Sequence, residues 1–390
     1  MYIGQIELQN WKNFKEARAN LSRRAFLIGP NASGKSNLLD AFRFLRDIAE
    51  SGLFQAVDER GGVSDLRCLA ARETPSIGVD VQIKKEPDTP LWRYHLTFNQ
   101  DHRQRPVVRD ERVIDLKTGK ELVSRPNSDD EEDPVRLTQT ALEQIVANRE
   151  FRTVSDFFRS ISYQHIIPQV VRDPQGFSGA PVQDDPFGRD FLKRIWDKNE
   201  NTRNAWLRRI RNVLEDAVPQ LSNLEVEMDR QGWPHLVGRY EHWRPHDARQ
   251  YETKFSDGTL RLFGLLWAMF EGDGPLLLEE PELSLHSEVV QHLPQMLEQL
   301  REEIRSMRRR SKKDYEPRQL LISTHSEELL RDKGIGADEV LLIEPDPEGS
   351  TISTATEAER KALRNGLSVA DVLLPKSGPC NGQLTFELKS

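Results

Sequence analysis

The chain has 390 residues, enough for two to three domains or one large elaborated domain. Apolar residues make up 37% and charged residues 30% of it, which excludes collagenous, low-complexity and wholly disordered chains. The 63 acidic and 55 basic side chains give a net charge of −8, so any contact with nucleic acid has to be local. The two cysteines, Cys68 and Cys380, are far apart and argue against structural zinc.

The N-terminal segment predicts a cytoplasmic protein. Met1 to Leu8 alternates apolar and polar residues like a strand and lacks the basic-then-apolar layout of a signal peptide. The longest apolar run, Leu262 to Phe270, is half the length of a membrane-spanning helix, which needs about 20 residues. We therefore expect no membrane partner.

The next segments predict a strand, a glycine-rich turn, a helix and then a small sheet. The first strand leads through Asn10-Trp-Lys-Asn-Phe14 to a second strand at 25–28, and a helix begins near Lys35. Between about residues 76 and 122, three alternating segments separated by Pro and Gly predict an antiparallel meander. The acidic run Asp129 to Asp133, between Pro126 and Pro134, is interpreted as a flexible loop.

The second half of the chain changes in character. Helical spacing dominates from about Pro134 to Val218, and a strand-like stretch follows from Leu224 to Trp243. An apolar helix opens at Thr259, and the runs 276–278 and 320–322 have the composition of strands buried on both faces. Seven basic residues end a later helix and are interpreted either as a solvated helix end or as a phosphate-binding patch: Arg301, Arg305, Arg308, Arg309, Arg310, Lys312 and Lys313.

The glycine-rich turn carries the clearest chemical pattern. Residues 29–36 read Gly-Pro-Asn-Ala-Ser-Gly-Lys-Ser and fit G-x-x-x-x-G-K-[ST] between an apolar strand and a helix. Such a loop points backbone N–H groups at phosphate oxygens, while Lys35 reaches the β and γ phosphates and Ser36 ligates Mg²⁺. The predicted nucleotide-binding residues of this loop are Gly29, Asn31, Ser33, Gly34, Lys35, Ser36 and Asn37.

An acidic pair ends the buried strand at 276–278. Glu279 is expected to sit behind Mg²⁺, and Glu280 to polarise the attacking water. Acidic pairs also follow strands on ordinary surfaces, so the functional interpretation of this pair depends on the presence of the phosphate loop.

Two further positions allow both a structural and a functional interpretation. Ser256 and Asp257 fit the N-cap of the helix at Thr259, but Ser256 and Gly258 also fit a helix N-terminus that faces the γ-phosphate of a nucleotide on a second subunit. His325 follows the strand at 320–322, where it is either structural or a hydrogen-bond donor to the γ-phosphate.

Together, GPNASGKS, FSDGT, LLLEEPELSLH and LLISTHS resemble the motifs of ABC-type ATPases related to RecF, SMC and OLD proteins, and in particular stand-alone ATPases of the AAA family. The resemblance implies an α/β fold, namely a P-loop ABC-type ATPase head with an antiparallel β-meander lobe and a helical lobe. It implies ATP and Mg²⁺ as ligands. It also implies that Lys35, Ser36, Glu279, Glu280 and His325 act in cis, and Ser256 and Gly258 in trans, across a homodimer or a higher assembly of dimers.

The sequence departs from the family pattern at two positions. Glu279 stands where Asp is usual, as is frequent among the stand-alone ATPases, and favours a water-mediated contact with the metal; Asp257 replaces the second residue of the signature motif, which is usually Gly in transporters. The glutamine that senses Mg²⁺ in this family has no sharp match, so Gln164 is the first candidate metal ligand and Gln169 the second.

The resemblance predicts four regions and three candidate functions. Residues 1–125 form the N-terminal half of the head, 126–250 a helical lobe and insertion, 251–345 the C-terminal half, and 346–390 a tail that is an interface element. The favoured function is an ATP-driven switch that controls an effector protein encoded nearby, in bacterial anti-phage defence. The alternatives are a RecF-like clamp on DNA, with nucleic acid as partner, and a transporter subunit, which the signature motif disfavours.

Overall fold

The computed structural model describes residues 1–71, 75–173, 185–215, 217–241, 248–310 and 315–377. Trp243, Lys312, Lys313 and Cys380, which the sequence interpretation singled out, lie outside these ranges. Within them, no helix is both long and apolar enough to cross a membrane.

The strands of the described ranges run in chain order as β1 (Tyr2–Trp11), β2 (Phe14–Asn20), β3 (Arg24–Ile28), β4 (Ile77–Glu86), β5 (Thr89–Gln100), β6 (Pro106–Asp115), β7 (Lys120–Arg125), β8 (Ser162–Gln164), β9 (Leu221–Met228), β10 (Pro234–Tyr240), β11 (Ala248–Tyr251), β12 (Leu276–Glu279), β13 (Leu320–Thr324), β14 (Val340–Glu344) and β15 (Thr351–Thr354).

The α-helices are α1 (Lys35–Ser51), α2 (Leu53–Asp58), α3 (Val63–Leu66), α4 (Ser128–Glu132), α5 (Arg152–Arg159), α6 (Pro168–Arg172), α7 (Phe191–Trp196), α8 (Glu200–Leu214), α9 (Asp257–Phe270), α10 (Ser287–Arg309), α11 (Glu327–Leu330), α12 (Glu357–Arg364) and α13 (Val369–Val372). Short 3-10 helices span Pro134–Thr138, Ala147–Glu150, Glu252–Lys254, Ala337–Glu339 and Leu374–Ser377.

Contacts divide the chain into two compact units. Unit 1 comprises residues 1–161 and 319–390, and unit 2 comprises residues 162–318. The division into four regions made from the sequence stays a prediction.

Unit 1 contains an antiparallel sheet with the strand order β2-β1-β4-β5-β6-β7. The predicted meander is confirmed in β4, β5 and β6, but the sequence interpretation missed β2, whose residues are mostly polar. Helix α1 packs on the sheet through Phe44, whose ring centroid lies 5.0 Å from that of Trp11 and 5.6 Å from that of Phe98. All three side chains are fully buried, so they form the centre of this core.

Unit 1 also contains parallel strands that lead to the predicted phosphate loop. Strand β3 pairs in parallel with β13 on one side and with β14 on the other, while β15 pairs antiparallel to β14. All five residues of β3 and of β13 are buried, as predicted for the apolar runs 25–28 and 320–322, and the polar residues Arg24, Ser323 and Thr324 are buried with them. The chain leaves β3 at Ile28 and enters α1 at Lys35, so the strand, loop and helix of the prediction are confirmed.

Unit 2 is built around helix α9. Trp206 of α8 packs against Trp267 and Phe270 of α9, with centroid distances of 5.2 and 5.1 Å, and Phe191 of α7 packs against Phe263 at 5.7 Å. Strands β9, β10 and β11 form a separate antiparallel sheet. Strand β8, which pairs in parallel with β12, was missed because three residues are too short to show a period.

The prediction of a flexible loop at 129–133 is wrong. Residues 128–132 form helix α4, and Asn127 and Asp130 close a capping box at its start. Asp130 is buried and lies 2.9 Å from the guanidinium of Arg125, which also lies 3.2 Å from the buried carboxylate of Glu111. The acidic run is therefore ordered because one of its carboxylates compensates a buried cation.

The basic end of α10 is ion-paired within unit 2. Arg301 lies 2.9 Å from Glu298, and Arg309 lies 3.3 Å from Glu316. Arg308 pairs with Asp273 and donates a 2.8 Å hydrogen bond to the carbonyl of Phe270. These partners neutralise much of the positive charge at the end of α10. The structure therefore favours the interpretation as a solvated helix end over that as a phosphate-binding patch.

Arg318 connects the ends of several elements of unit 2. Its buried guanidinium donates to the carbonyls of Gly274 and Ala268, both at 2.8 Å, and to the hydroxyl of Ser162 at 2.6 Å. Burial lowers the pKa of this guanidinium to about 10. The side chain thereby joins the end of α9 to the starts of β8 and β12.

Replacing Arg318 by methionine should destabilise the protein strongly. The variant fills a similar volume but leaves several buried oxygen atoms without a donor, and each such group costs about 1–3 kcal/mol. We expect a loss of about 3 kcal/mol in the free energy of unfolding, measured by urea denaturation. Arg310→Met, at an exposed position, is the control, and equal stability of the two variants would contradict the assigned role.

Candidate functional site

The phosphate loop connects β3 to α1 in unit 1. The Lys35 side chain is buried, and its Nζ donates to the carbonyls of Gly29 at 2.9 Å and Pro30 at 3.0 Å. The loop is closed by a 3.2 Å hydrogen bond from the Ser33 amide to the Pro30 carbonyl, and α1 begins with Leu38 N–H bonded to the Gly34 carbonyl. A buried ammonium at a helix N-terminus is suited to phosphate oxygens.

Asn13 holds this loop from the side. Its Nδ2 donates to the carbonyl of Ser33 at 2.8 Å and to Ser350 Oγ at 2.7 Å, and its Oδ1 accepts from Asn37 Nδ2 at 2.8 Å. Trp11 Nε1 donates to the carbonyl of Asn37 at 2.9 Å. The segment Asn10 to Phe14, which the sequence interpretation described only as the link between the first two predicted strands, therefore supports the loop directly, and no local pattern marked Asn13.

The loop uses a glycine and an alanine in left-handed backbone conformations. Gly34 has φ 111°, and a Cβ there would lie 2.2 Å from Asn13 Nδ2, so a side chain is excluded. Ala32 has φ 61°, which is uncommon for a residue with a Cβ. Strained backbone of this kind gathers at functional sites.

An open cavity of about 770 Å³ lies beside the loop in unit 1. Loop residues Ala32 and Asn37 line one side of it, Lys12 and Arg67 contribute cations, and Asp65 contributes a carboxylate. Its size accommodates the nucleoside part of a nucleotide whose phosphates lie on the loop. Of these lining residues the sequence interpretation named Asn37 as a nucleotide-binding residue, but it did not predict Lys12, Arg67 or Asp65.

His325 lies in unit 1, directly after β13. The side chain is exposed, and Ser326 caps helix α11. Ser323, two residues earlier, is buried, and its hydroxyl finds no hydrogen-bond partner among the described residues. His325 thus follows a buried strand, as expected from the sequence, and the structure shows that this strand pairs with β3.

The two glutamates lie at the end of β12 in unit 2. Tyr163 donates a very short hydrogen bond from its hydroxyl to Glu279 Oε2, and His165 Nδ1 lies 3.2 Å from the carbonyl oxygen of Glu279. Glu280 has φ 44°, a left-handed conformation in a residue that is not glycine. Tyr163 lies in β8 and His165 directly follows it, and neither was singled out as a functional residue in the sequence.

Gln164 lies beside these glutamates. It pairs with Leu278 in the parallel register of β8 and β12, one position before Glu279. Only 7% of the residue is exposed, and its Oε1 accepts no hydrogen bond from the described part of the chain. A buried oxygen without a donor is suited to a cation, and Gln169 has a different partner.

The turn that begins α9 carries Ser256 and Gly258. Ser256 is the N-cap, since its Oγ accepts from the Thr259 amide at 3.1 Å, and its side chain is exposed. A Cβ at Gly258 would lie 2.6 Å from the carbonyl oxygen of Ser284, so this glycine is required by a close backbone approach. The structural interpretation of Ser256 as an N-cap is thus confirmed, while the action of Ser256 and Gly258 across a dimer stays a prediction.

Arg261 is a further charged residue of this turn that the sequence interpretation missed. Burial lowers the pKa of its guanidinium, and the carboxylates of Asp257, Glu282 and Glu280 act in the opposite direction. Its position one turn into α9, electrostatically coupled to Glu280, adds a cation to the acidic site of unit 2.

The predicted site residues thus divide between the units. Unit 1 contains Lys35, Ser36 and His325 with the phosphate loop, and unit 2 contains Gln164, Glu279, Glu280, Ser256 and Gly258. The candidate metal ligands Ser36, Glu279 and Gln164 supply a hydroxyl, a carboxylate and an amide oxygen, and Mg²⁺ prefers oxygen ligands. The donor set therefore fits this ion.

The fold and these motifs define an ABC-type ATPase head of the RecF and SMC group. The structure is similar to the Smc head bound to the C-winged helix domain of ScpA, with a TM-score of 0.56 and 14% identity over 92% of this chain and 99% of that one. It is also similar to the Smc head domain with an extended coiled coil bound to the C-terminal domain of ScpA derived from Pyrococcus furiosus, with a TM-score of 0.51 and 13% identity over 93% and 99% of the two chains. The predicted fold class is therefore confirmed.

The chain belongs to the family described as "AAA domain, putative AbiEii toxin, Type IV TA system", which matches residues 24–331. A segment of 46 residues is 46% identical to the DNA replication and repair protein RecF of Lactobacillus gasseri, and equally to that of Lactobacillus johnsonii. This segment covers 12% of the chain and 12% of each RecF, so the match spans only a small part of these relatives. The predicted family resemblance is confirmed.

Proposed function

We propose that the protein is an ATP-binding and ATP-hydrolysing molecular switch in which two copies close around ATP and reopen after hydrolysis. The observation that carries the proposal is the phosphate loop, where buried Lys35 meets the N-terminus of α1 and Asn13 fixes the Ser33 carbonyl. Membership of an ATPase family supports the same substrate.

In this proposal the phosphate loop holds the β and γ phosphates through its N–H groups and Lys35. The cavity beside the loop receives the nucleoside, with Lys12 and Arg67 near its polar groups. Ser36, Glu279 and Gln164 hold Mg²⁺, which neutralises phosphate charge when bound. Glu280 orients and deprotonates the attacking water, and His325 donates to the γ-phosphate.

The dimer supplies the second half of each site. Ser256 is exposed at the N-terminus of the 14-residue helix α9, where a helix dipole favours an anion. Within its own chain this serine caps helix α9. In the dimer we place it against the γ-phosphate of the ATP bound to the second copy. Hydrolysis would then release the γ-phosphate, which both copies contact, and the dimer would reopen.

The proposed role is control of an effector protein in bacterial anti-phage defence, in the cytoplasm. The family description names a putative toxin of a toxin–antitoxin system, which favours defence over housekeeping repair. The net charge of −8 favours a protein partner over DNA.

The second candidate function is an ATP-dependent clamp on DNA in repair. The segment shared with RecF favours it, since RecF is a replication and repair protein by name. Salt-sensitive binding of duplex DNA by the ATP-closed dimer would promote this candidate over the switch, and its absence would leave the switch.

A mixing experiment tests the shared site. Ser256→Arg should be inactive because the bulky cation blocks the turn from Ser256 to Gly258, named the signature turn here. Lys35→Ala should be inactive because the phosphates lose their buried cation. A mixed dimer has one site made from the phosphate loop of the first variant and the signature turn of the second. We expect the equimolar mixture to recover about a quarter of wild-type ATP turnover, measured as phosphate release, if subunits mix at random and each site acts alone.

The control is each variant alone at the same total concentration, and a co-expressed, doubly tagged heterodimer. If neither the mixture nor the heterodimer exceeds the separate variants, the shared-site proposal is wrong, whereas full activity of Ser256→Arg alone would remove Ser256 from the site.

A further inference from the structure

The signature turn is held by helix α6. Arg172 Nη1 lies 2.5 Å from Asp257 Oδ1, and Gln169 Nε2 donates to Asp257 Oδ2 at 2.9 Å. Arg172 Nη2 also donates to the carbonyl oxygen of Phe255 at 2.6 Å. The carboxylate between Ser256 and Gly258 and the backbone before Ser256 are therefore both attached to one short helix.

The same segment contacts the acidic site at its other end. Tyr163 and His165 contact the side chain and the carbonyl of Glu279. Between the two ends, Ile166 packs against the backbone of α9, since a Cβ at Gly264 would lie 2.9 Å from Ile166 Cγ1. Residues 163–172, named the connector here, thus run in contact from Glu279 to the N-terminus of α9.

Stability alone does not account for these contacts. An aspartate in the first turn of a helix is favourable in any orientation, because it interacts with the helix dipole. The Asp257 side chain is 38% exposed and that of Arg172 23%, so their ion pair adds little to the free energy of unfolding. What the two donors add is a fixed direction, because the buried Val170 and Val171 anchor α6 in unit 2 and Arg172 also donates to the carbonyl oxygen of Phe255.

We propose that Asp257 is a positioning residue for ATP hydrolysis. Through Gln169 and Arg172 it sets the orientation of the turn that presents Ser256 and Gly258 to the nucleotide on the second copy. The inference rests on the proposed function, because the turn needs a fixed orientation only if it completes a site in trans. It gives a role to Asp257, one of the two residues at which the sequence interpretation found a departure from the family pattern.

The test compares Asp257→Ala, Arg172→Gln and the double variant. ATP turnover should fall about 10- to 100-fold in each, the scale that a misplaced catalytic group produces. The double variant should fall no further, since both changes remove one interaction. Binding of a fluorescent ATP analogue to the separate chains should change less than about twofold, because the phosphate loop and its cavity lie in unit 1.

Two comparisons separate positioning from loss of structure. Glu215→Gln removes the carboxylate that lies 3.0 Å from Arg211, an ion pair of similar exposure on α8, and should leave turnover unchanged. Asp257→Glu, which keeps a carboxylate within reach of Arg172, should recover part of the turnover lost in Asp257→Ala. Melting temperatures of all variants should stay within about 3 °C of the wild type.

Mixing assigns the defect to one half of the site. Asp257→Ala mixed with Lys35→Ala should recover turnover, because the Lys35→Ala chain supplies an intact signature turn. Asp257→Ala mixed with Ser256→Arg should not, because both chains lack a correctly placed turn.

Three outcomes would overturn the inference. If Asp257→Ala has wild-type turnover while the mixture of Ser256→Arg and Lys35→Ala recovers turnover, Asp257 has no positioning role but the shared-site proposal stands. A loss in Asp257→Ala without any loss in Arg172→Gln or Gln169→Ala would mean that Asp257 touches the nucleotide directly. Failure of the Ser256→Arg and Lys35→Ala pair itself would remove the shared site and this inference together.

Discussion

Replacing Lys35 by alanine should abolish both nucleotide binding and ATP turnover. The buried ammonium is held by the carbonyls of Gly29 and Pro30 at the mouth of the phosphate loop, where bound phosphates would meet it. Without that charge, a site at a helix N-terminus retains only backbone dipoles for a polyanion. We expect turnover to fall by at least about 10³-fold, measured as phosphate release, with binding of a fluorescent ATP analogue lost in parallel.

Lys361→Ala, in the exposed helix α12, is the matched control and should bind and hydrolyse ATP normally. Lys35→Ala leaves the carbonyls of Gly29 and Pro30 without their donor, so its free energy of unfolding is measured beside its activity, and a retained cooperative unfolding transition separates loss of ATP binding from loss of the fold. Turnover near the wild-type level in Lys35→Ala would contradict the proposed ATP site as a whole.

Replacing Glu280 by glutamine should trap the closed, ATP-bound dimer. Glutamine keeps the size of the side chain and most of its hydrogen bonds but cannot accept a proton from water. Binding should survive while hydrolysis falls by on the order of 10²-fold or more. Size-exclusion chromatography with light scattering, with and without ATP, would show the accumulated dimer.

Glu279→Gln provides the contrast. Glu279 accepts from Tyr163 and is the predicted metal-side residue, so its variant should need a higher Mg²⁺ concentration for binding and for turnover. Glu288→Gln, exposed in the first turn of α10, is the neutral control. If Glu280→Gln turns over normally and Glu279→Gln traps the dimer, the two roles are reversed.

Patterns within short stretches of sequence predicted the framework of the site. The loop at 29–36 is defined by consecutive residues whose backbone conformation follows from glycine positions, and β3 and α1 flank it as expected. Strands β12 and β13 were predicted because strands covered on both faces are apolar throughout. The start of α9 at Asp257, with Ser256 as its cap, follows from the same local chemistry.

Features that depend on contacts between distant residues were not predicted from the sequence. The three-residue strand β8 exists because β12 offers it a partner, and α4 is ordered because Asp130 pairs with Arg125 across a turn. Strand β8 has no signal in its own segment, and the capping residues Asn127 and Asp130 of α4 were not recognised in the sequence. Secondary-structure propensity and the spacing of apolar residues depend on the sequence near one residue. Strand pairing and the compensation of buried charges depend on which distant residues pack against it.

The sequence by itself determined the class of protein and predicted the residue types of its proposed chemistry, because phosphate binding and water activation need particular groups in a particular local order. Only the tertiary structure decided which residues support them. Asn13 reaches Ser350 across 337 positions, and Tyr163 reaches Glu279 across 116. A hydrogen bond depends on distance in space and leaves no period in the sequence, so Asn13, Tyr163 and the partners of Asp257 emerge only when the chain is folded.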